Sequence, residues 1–354
     1  MAYSSEEGIV KKIKKLKEHV VWPAYKERSG FLSKIIPMVK EWKHSLPNLE
    51  EIFSNEEIGV LLIDAINISV NDERFDTIDS CVNFVKFIAR CGYIDESEEH
   101  KYKHRFTPVH DSIQLLRKLD SFESDRESNV VETMGRGVRH RCQLSERRDP
   151  VQRRKELYEH YSDFVNDLLN MFPRFDINYS DSEGLTHLHV ASAFGCYYVV
   201  EQFLEHGHDP NKCVWEKTGD TPLHLAIRYG HLDVVQLLLD SGADTKAINK
   251  NGSRPVHELC KSIHGEDLVG LLFIIGDEMD TQDVSGNSPL HLAATTSHKK
   301  VIRYLLKKGA NWNLANSDGE TSLHAICRNK DEEIAKLFLK SAKQQMRMGI
   351  DAQD

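Results

Sequence analysis

The sequence predicts an all-α fold in which tandem helical hairpins stack as a solenoid, preceded by a helical N-terminal extension. A four-residue segment that ends in Leu-His or Val-His occurs five times, and the intervals between its histidines are 35, 33, 34 and 33 residues. Glycines and leucines recur in register with it. A fixed period of this length is typical of architectures in which each unit buries its apolar face against the next. The five segments are Thr186–His189, Thr221–His224, Arg254–His257, Ser288–His291 and Thr321–His324.

The second unit shows why each hairpin is expected to contain two helices. Thr221 can cap a helix through its hydroxyl oxygen, and Pro222 suits the first turn of that helix. Gly230 then ends the first helix, and the apolar run over 234–239 supplies the second. Gly242 terminates the second helix at a C-cap position. These signals predict a turn followed by two antiparallel helices.

The period and the T-P-L-H core at Thr221–His224 resemble the ankyrin repeat. The resemblance covers residues 179–345 and implies an ankyrin-repeat solenoid of helix-turn-helix repeats with β-hairpin-like fingers. It also implies that the repeated histidines are structural, bonding to a neighbouring hydroxyl and nearby backbone, and are not metal ligands. The third unit is degenerate, because Arg254 replaces threonine and residues 262–265 carry one extra residue.

Residues 1–104 are predicted to be a mainly helical N-terminal region. Its segments Glu57–Asn71 and Thr77–Cys91 are two apolar-faced helices joined by a polar turn. They have the shape of a repeat without its signature. We therefore expect this region to contain degenerate repeats or to cap the array, since a solenoid needs its terminal apolar face covered.

The next region, 105–178, is predicted to be a divergent ankyrin repeat that starts at Thr107-Pro-Val-His110. A charged, mobile insertion over 119–156 divides its two helices, with acidic residues first and basic residues after them. Two unrelated helices that flank a linker are the alternative. Residues 179–354 hold the five recognisable repeats, and Gly349–Asp354 resembles the link that opens a further repeat.

Composition narrows the functional class. The chain has 354 residues and a formal net charge of −9, which argues against a specific or general nucleic-acid role as its main activity. Its longest apolar run, 268–275, is far shorter than the roughly 20 residues that cross a bilayer, and we see no signal segment. The seven cysteines are widely spaced without a C-x-x-C pair, which indicates free thiols. We expect a cytoplasmic protein, with the nucleus as the alternative.

Motifs for catalysis are missing from the sequence. It contains no G-x-S-x-G, phosphate-binding G-x-x-x-x-G-K, G-x-G-x-x-G, H-E-x-x-H or kinase signature. We therefore expect no enzyme activity, no cofactor and no metal. The resemblance implies a protein-protein interaction scaffold or adaptor, a monomeric array that binds another protein on its concave surface.

Two alternatives stay open. The protein is an inhibitor of a transcription factor, similar to the NF-κB-inhibitor ankyrin proteins, or it is the cytosolic part of a larger ankyrin-containing adaptor or membrane protein. The segment Gly184–Cys196 is also similar to arthropod ankyrin-repeat proteins, a likeness that adds no mechanism.

Partner contacts in ankyrin proteins come from the fingers and from free positions on the first helices. Aromatic and arginine side chains carry most interface energy once desolvated. Packing between repeats is the alternative for Phe194 and Trp312. We expect the pair Arg228→Ala and Tyr229→Ala to weaken partner binding with little loss of thermal stability. The predicted partner-binding residues are Phe194, Trp215, Lys217, Arg228, Tyr229, Lys250, Asn251, Val284, Trp312 and Arg328.

Overall fold

The computed structural model describes residues 6–40, 42, 46–71, 75–94, 107–116, 161–212, 215–275, 279–329 and 332–351. The chain divides into two compact units, Met1–Ser182 and Glu183–Asp354, called unit 1 and unit 2. Across the described ranges the regular structure is helical and no β-strand forms. The charged insertion predicted over 119–156 lies outside the described residues.

Unit 1 contains described helices of which the first four pack on one another. They are α1 (Glu6–Lys17), α2 (Tyr25–Lys40), α3 (Asn55–Asn71), α4 (Phe75–Arg90), α5 (108–116) and α6 (161–170), with a short 3-10 helix at Leu49–Glu51. Helix α2 packs against both α3 and α4, and its Leu32 is completely buried. The two helices predicted before residue 92 are confirmed as α3 and α4, with bounds that differ by no more than two residues.

A buried ion pair joins α2 to α3. The Nε atom of Arg28 lies 2.6 Å from Oδ2 of Asp64, and its Nη2 lies 3.2 Å from Oδ1. Both side chains are nearly buried, with exposed fractions of 12% and 3%. The guanidinium also donates to the backbone oxygen of Trp22. The guanidinium charge is tolerated in this position because each of its three nitrogens donates to an acceptor.

The start of α5 has the geometry of a repeat. The backbone N–H and hydroxyl of Thr107 lie 2.9 Å and 3.1 Å from Nδ1 of His110. The other ring nitrogen of His110 lies 3.3 Å from the backbone oxygen of Tyr179. That contact spans 69 residues and brings the chain back beside α5 after α6. The assignment of 105–178 to one divided repeat stays a prediction, since its middle is outside the described residues.

Unit 2 contains the five predicted repeats, each with a first and a second helix. They are α7 (His187–Phe194) with α8 (Tyr197–Glu205), α9 (Pro222–Tyr229) with α10 (Leu232–Asp240), α11 (Pro255–Lys261) with α12 (Leu272–Ile275), α13 (Pro289–Thr295) with α14 (Lys299–Lys307), and α15 (Ser322–Asn329) with α16 (Glu332–Asp351), numbered repeats 1 to 5. The first helices stack in chain order, α7 on α9, α9 on α11, α11 on α13 and α13 on α15. This stack confirms the all-α solenoid.

Repeat 3 is the irregular one, as its sequence predicts. After α11 the chain passes through turns and a 3-10 helix at Val269–Leu271 before the four-residue α12. Ser262 leaves α11 in an extended conformation, and its hydroxyl donates to the backbone oxygen of Arg228 at 2.7 Å. Leu268 and Leu272 still fill the core, each 1% exposed. The apolar contacts of a second helix are thus kept without its regular length.

Repeat 5 ends differently from the expectation. Its second helix, α16, has 20 residues, whereas α14 has nine. Residues 349–351 form the last turn of α16, so the described part of Gly349–Asp354 is helical and not an extended link. Residues 352–354 lie outside the described residues.

The repeated histidine is a structural link between neighbouring repeats. In repeat 2 the backbone N–H of Thr221 lies 3.2 Å from Nδ1 of His224, and the Thr221 hydroxyl lies 2.9 Å from it. Because a peptide N–H only donates, Nδ1 is the acceptor and Nε2 carries the ring proton. Nε2 lies 3.2 Å from the backbone oxygen of Ser253 and donates to it. One neutral ring therefore caps its own helix and binds the next repeat.

The same arrangement recurs in repeats 3 and 4. His257 accepts from the backbone N–H of Arg254 at 3.1 Å and donates to the backbone oxygen of Thr281 at 3.0 Å. Replacing threonine by Arg254 removes the hydroxyl donor but leaves the backbone donor. His291 lies 3.1 Å from the backbone oxygen of Glu320. Burial lowers the pKa of His224, His257 and His291, which keeps these three rings neutral.

A second histidine gives unit 2 a testable pH dependence. Nε2 of His231 donates to the backbone oxygen of Ala193 at 2.9 Å, and burial lowers the pKa of His231 to about 4. An unfolded histidine has a pKa of about 6.5, so the unfolded chain takes up the proton first as the pH falls. Stability is complete above about pH 6.5 and is lost progressively towards about pH 4.

We predict that the urea midpoint of unfolding, followed by circular dichroism, falls across this pH range. In His231→Gln the fall is expected to be shallower, because glutamine does not titrate there. An equally steep fall in the variant would contradict the role given to His231.

Candidate partner-binding surface

In two of the turns between repeats, an asparagine at the first position makes the hydrogen bonds that close the turn. The backbone N–H of Asn249 donates to the backbone oxygen of Ser253 at 3.0 Å, and Asn249 Oδ1 accepts from the backbone N–H groups of Asn251 and Ser253 at 3.0 Å and 2.9 Å. Asn316 makes the equivalent bonds in the turn before repeat 5. An amide side chain that satisfies several turn N–H groups holds the loop in one conformation.

Successive turns are also bonded to each other. The backbone N–H of Lys250 donates to the backbone oxygen of Thr218 at 2.9 Å, and the N–H of Val284 donates to the oxygen of Asn251 at 2.9 Å. The N–H of Ser317 continues the series with Ser285, also at 2.9 Å. The predicted fingers are therefore one ladder of turns with a hydrogen bond at each step. An antiparallel bridge between Ala315 and Thr321 gives the last finger its hairpin character.

The ladder requires glycine at its contacts. Gly252 has φ +68°, and a Cβ atom there would lie 2.8 Å from the backbone nitrogen of Val284. Gly219 has φ +73°, with 2.7 Å to the backbone nitrogen of Lys250. Both the left-handed backbone and the close approach exclude a side chain.

Four of the predicted residues lie together on this ladder. Lys217, Lys250, Asn251 and Val284 occupy three consecutive turns and are exposed, and 73% of Val284 is accessible. Lys217 forms an exposed ion pair with Glu183 of the preceding turn at 3.1 Å. We call these four side chains the finger surface.

Three predicted residues are buried inside the repeats. Phe194 is 1% exposed, Trp215 is 4% exposed and Tyr229 is 7% exposed. All eight residues of α7 are buried, because this helix packs on both α8 and α9. A partner cannot reach these rings in this structure, so we leave all three out of the proposed surface.

Trp312 also has a packing partner. Its ring meets that of Phe338 edge to face, with centroids 5.8 Å apart, and Phe338 is 1% exposed. Trp312 itself is half-buried. This contact ties the base of the last finger to α16, in line with the packing alternative for this residue.

Arg228 lies in a buried charge network that joins repeats 2 and 3. Its two Nη atoms each lie 3.0 Å from a carboxylate oxygen of Asp220, and its Nε lies 2.9 Å from Oε2 of Glu258. Lys261 lies 2.7 Å from the other oxygen of Glu258, and Asn249 donates to Asp220 at 2.8 Å. The two carboxylates are almost inaccessible, 1% and 0% exposed. The network balances two acids with two bases.

The charges in this network fix one another's ionisation. Burial alone would raise the pKa of Asp220 and of Glu258, but the neighbouring Arg228 holds the pKa of both carboxyls below their usual values. Burial would likewise lower the pKa of Arg228, yet the two carboxylates raise it overall. Asp220, Glu258 and Arg228 are therefore all charged, and the guanidinium of Arg228 is bound to the two carboxylates.

Asp220 is expected from the sequence to be a free position that faces a partner, but it is buried, and the sequence does not predict Glu258 as a partner of Arg228. A usable signal is present, since an acid precedes an arginine by eight residues at Asp220 and Arg228 and again at Glu320 and Arg328. In repeat 5 the pair is exposed, with Arg328 Nη2 at 2.5 Å from Glu320 and 62% of the arginine side chain accessible. Glu258, 30 residues from Arg228 in a degenerate repeat, gives no such signal.

Within the described ranges, His, Cys, Asp and Glu side chains form no group of three that could hold a metal ion. Among the helices of those ranges, none combines the length and apolar character needed to cross a membrane.

We predict that Gly252→Ala destabilises unit 2 more than Gly242→Ala does. Gly242 has φ +82° with open space around the Cβ position, so its substitution costs only the left-handed backbone, about 1–2 kcal/mol. Gly252→Ala adds the collision with Val284 and is expected to cost at least about 1 kcal/mol more. Urea unfolding of the two variants measures the difference, and equal losses would rule out the close approach of the turns.

We predict that Arg228→Ala lowers the free energy of unfolding by about 3 kcal/mol, because it leaves buried carboxylates without their main counterion. This replaces the expectation that Arg228→Ala with Tyr229→Ala would spare stability. The control is Lys217→Ala, which removes an exposed ion pair and is expected to cost less than about 1 kcal/mol. Similar losses in the two variants would show that the buried network contributes no more to the free energy of unfolding than an exposed ion pair does.

The comparisons with known proteins agree with this architecture. The family described as ankyrin repeats (3 copies) matches residues 157–249 and 256–348, slightly more than half of the chain. The subunit AVO2 of target of rapamycin complex 2 from Saccharomyces cerevisiae is 29% identical over 162 residues, which are 45% of this chain and 37% of that protein.

Two human proteins are each similar to about half of this chain. SH3 and multiple ankyrin repeat domains protein 2 is 30% identical over 169 residues, 48% of this chain and 9% of that protein. Palmitoyltransferase ZDHHC13 is 27% identical over 206 residues, 48% of this chain and 32% of that protein. The chain thus spans well under half the length of each of these relatives. On its repeats, its stacked helices and the family match, the chain belongs to the ankyrin-repeat family.

Proposed function

We propose that this protein is a scaffold or adaptor that binds another protein through the finger surface, Lys217, Lys250, Asn251 and Val284. The observation that carries the proposal is the ladder of backbone hydrogen bonds from turn to turn. It holds exposed side chains of three turns at fixed separations. A surface that is ordered before binding loses little conformational entropy when a partner docks.

The exposed chemistry of the finger surface suggests the kind of partner. Lys217 and Lys250 lie in the two turns before that of Val284, and Val284 is the most exposed apolar side chain of the turns. A complementary surface presents an apolar side chain for Val284 and carboxylates opposite the two lysines. The buried network around Arg228 is neutral overall and does not offset the lysine charges.

The family supports a binding role and not catalysis. Repeat arrays present extended surfaces to other macromolecules. One relative is named as a subunit of a complex and another as a multiple ankyrin repeat domains protein. A third is named as a palmitoyltransferase, but this chain matches only 32% of it. We therefore propose an interaction role without enzyme activity, carried out in the cytoplasm.

The test is quantitative affinity capture from a lysate of cells that express the protein. The variant Lys217→Glu, Lys250→Glu, Val284→Asp reverses the charge and removes the apolar contact of the finger surface. Its matched control, Lys300→Glu with Arg303→Glu, changes two exposed residues of α14. We predict that proteins captured by the wild type are retained by the control and reduced about tenfold or more by the finger variant.

Mass spectrometry with isotope labelling measures the ratios. Equal recovery of the same proteins by the finger variant and the wild type would refute binding through the fingers. Thermal unfolding of both variants verifies that each is folded.

A further inference from the structure

Repeat 3 exposes two adjacent apolar side chains on its short second helix. Phe273 of α12 is 76% exposed and Ile274 is 46% exposed. Leu272 and Ile275, three residues apart, are the buried residues of α12. Because a helix places residues three apart on one side, the two residues between them face the solvent. The fold therefore does not use Phe273 and Ile274 in its core.

The outward side of α14, in the next repeat, is basic. Five residues follow the spacing i, i+3, i+4, i+7 and i+8, which places them on one side of the helix, away from its buried residues. All but one of the five are bases. They are Lys300, Arg303, Tyr304, Lys307 and Lys308.

These bases have little neutralising charge beside them. The Nζ atom of Lys300 lies 3.8 Å from Oε2 of Glu266. The other three bases are exposed, and among the described residues no carboxylate lies at ion-pair distance from them. Asp277 and Glu278, the next acids along the chain after α12, lie outside the described residues. The outward side of α14 is thus free to attract an anionic surface.

One lysine joins the apolar pair of α12 to the basic side of α14. The Nζ atom of Lys308 lies 5.5 Å from the ring centroid of Phe273 and 5.7 Å from that of Tyr304. A cation is attracted to the face of an aromatic ring, so the two rings hold this ammonium group beside the exposed Phe273. Apolar and basic groups are therefore presented side by side. We call the following six side chains the basic-aromatic face: Phe273, Ile274, Arg303, Tyr304, Lys307 and Lys308.

We propose that the basic-aromatic face binds the surface of a membrane that contains anionic lipids. Phe273 and Ile274 enter the boundary between headgroups and acyl chains, and the bases contact the anionic headgroups. The cytoplasmic leaflet of a cell membrane carries such lipids. The face belongs to repeats 3 and 4, each of which has a repeat on either side, and it shares no residue with the finger surface. Membrane and protein partner thus bind through different residues.

Charge alone would also suit an acidic peptide, but the geometry of the face favours a membrane. A peptide that binds through apolar side chains is held in a groove or pocket. Phe273 lies in neither, because 76% of it is accessible. A projecting aromatic side chain with bases around it is typical of proteins that lie on a bilayer. The bases are also spread along α14 and do not converge on one point, which suits a plane of headgroups.

Co-sedimentation of the purified full chain with large vesicles tests the proposal. We expect binding to vesicles of phosphatidylcholine with about 30% phosphatidylserine and little binding to phosphatidylcholine alone. The bound fraction should fall as salt is added, because salt screens the attraction. Arg303→Glu with Lys307→Glu should lower the partition coefficient about tenfold or more, and Phe273→Ser should lower it about fivefold.

The finger surface supplies matched controls. Lys217→Glu with Lys250→Glu makes the same change in net charge as the α14 variant. Val284→Ser removes an apolar side chain that is 73% exposed, close to the exposure of Phe273. Both controls are expected to bind the vesicles as the wild type does. Thermal unfolding verifies that each variant is folded.

The variants, and not binding of the wild type alone, assign the face, because residues 119–156 also contain a basic segment. A wild type that stays in the supernatant with anionic vesicles overturns the proposal, and its binding to an acidic peptide would assign the face to a protein partner. Equal vesicle binding by the wild type and the Arg303→Glu, Lys307→Glu variant overturns it too. An equal loss in the charge-matched control overturns it as well, since net charge alone would then explain the binding.

Discussion

In repeats 2 to 4 one buried histidine makes two kinds of hydrogen bond, one at the start of its own first helix and one to the backbone of the next repeat. The ring of His224 accepts from Thr221 at the start of its own helix and donates to Ser253 of the next repeat. A neutral imidazole accepts at one ring nitrogen and donates at the other. If it were protonated, Nδ1 would lose its acceptor role and the helix start would lose its cap. Stacking buries His224 and thereby lowers its pKa, which keeps the ring in the neutral form that makes both bonds.

The spacing between the stacked first helices also sets the distance between adjacent turns. Once the first helices are stacked through their histidines, adjacent turns approach until the backbone N–H of Val284 reaches the oxygen of Asn251 at 2.9 Å. No side chain fits between them, which accounts for glycine at position 252. The outward side of each turn remains outside this contact. The finger surface is made of side chains that the stacking does not use.

Sequence reasoning identifies the repeats but misassigns several of their side chains, for a physical reason. Glycine, threonine and histidine recur in register because each repeat uses them for the same turn, the same helix cap and the same link to its neighbour, so their period is visible in one sequence. Phe194 and Tyr229 are different, because a helix of eight residues between a partner helix and a neighbouring repeat has hardly any free side. An aromatic residue at the end of such a helix is predicted from the sequence to be a free position, although the structure buries it. Arg228 is similar, since its second acid, Glu258, lies in another repeat.

Binding through the finger surface requires turns that are ordered in the free protein, and backbone amide hydrogen exchange measures this order most directly. The N–H groups of Lys250, Val284 and Ser317 each donate to the preceding turn. We predict that all three exchange far more slowly than unstructured amides and that their protection is lost together when unit 2 unfolds. Exchange of these amides at the rate of an unstructured chain, with the helices still protected, would show that the ladder does not form and would contradict the account.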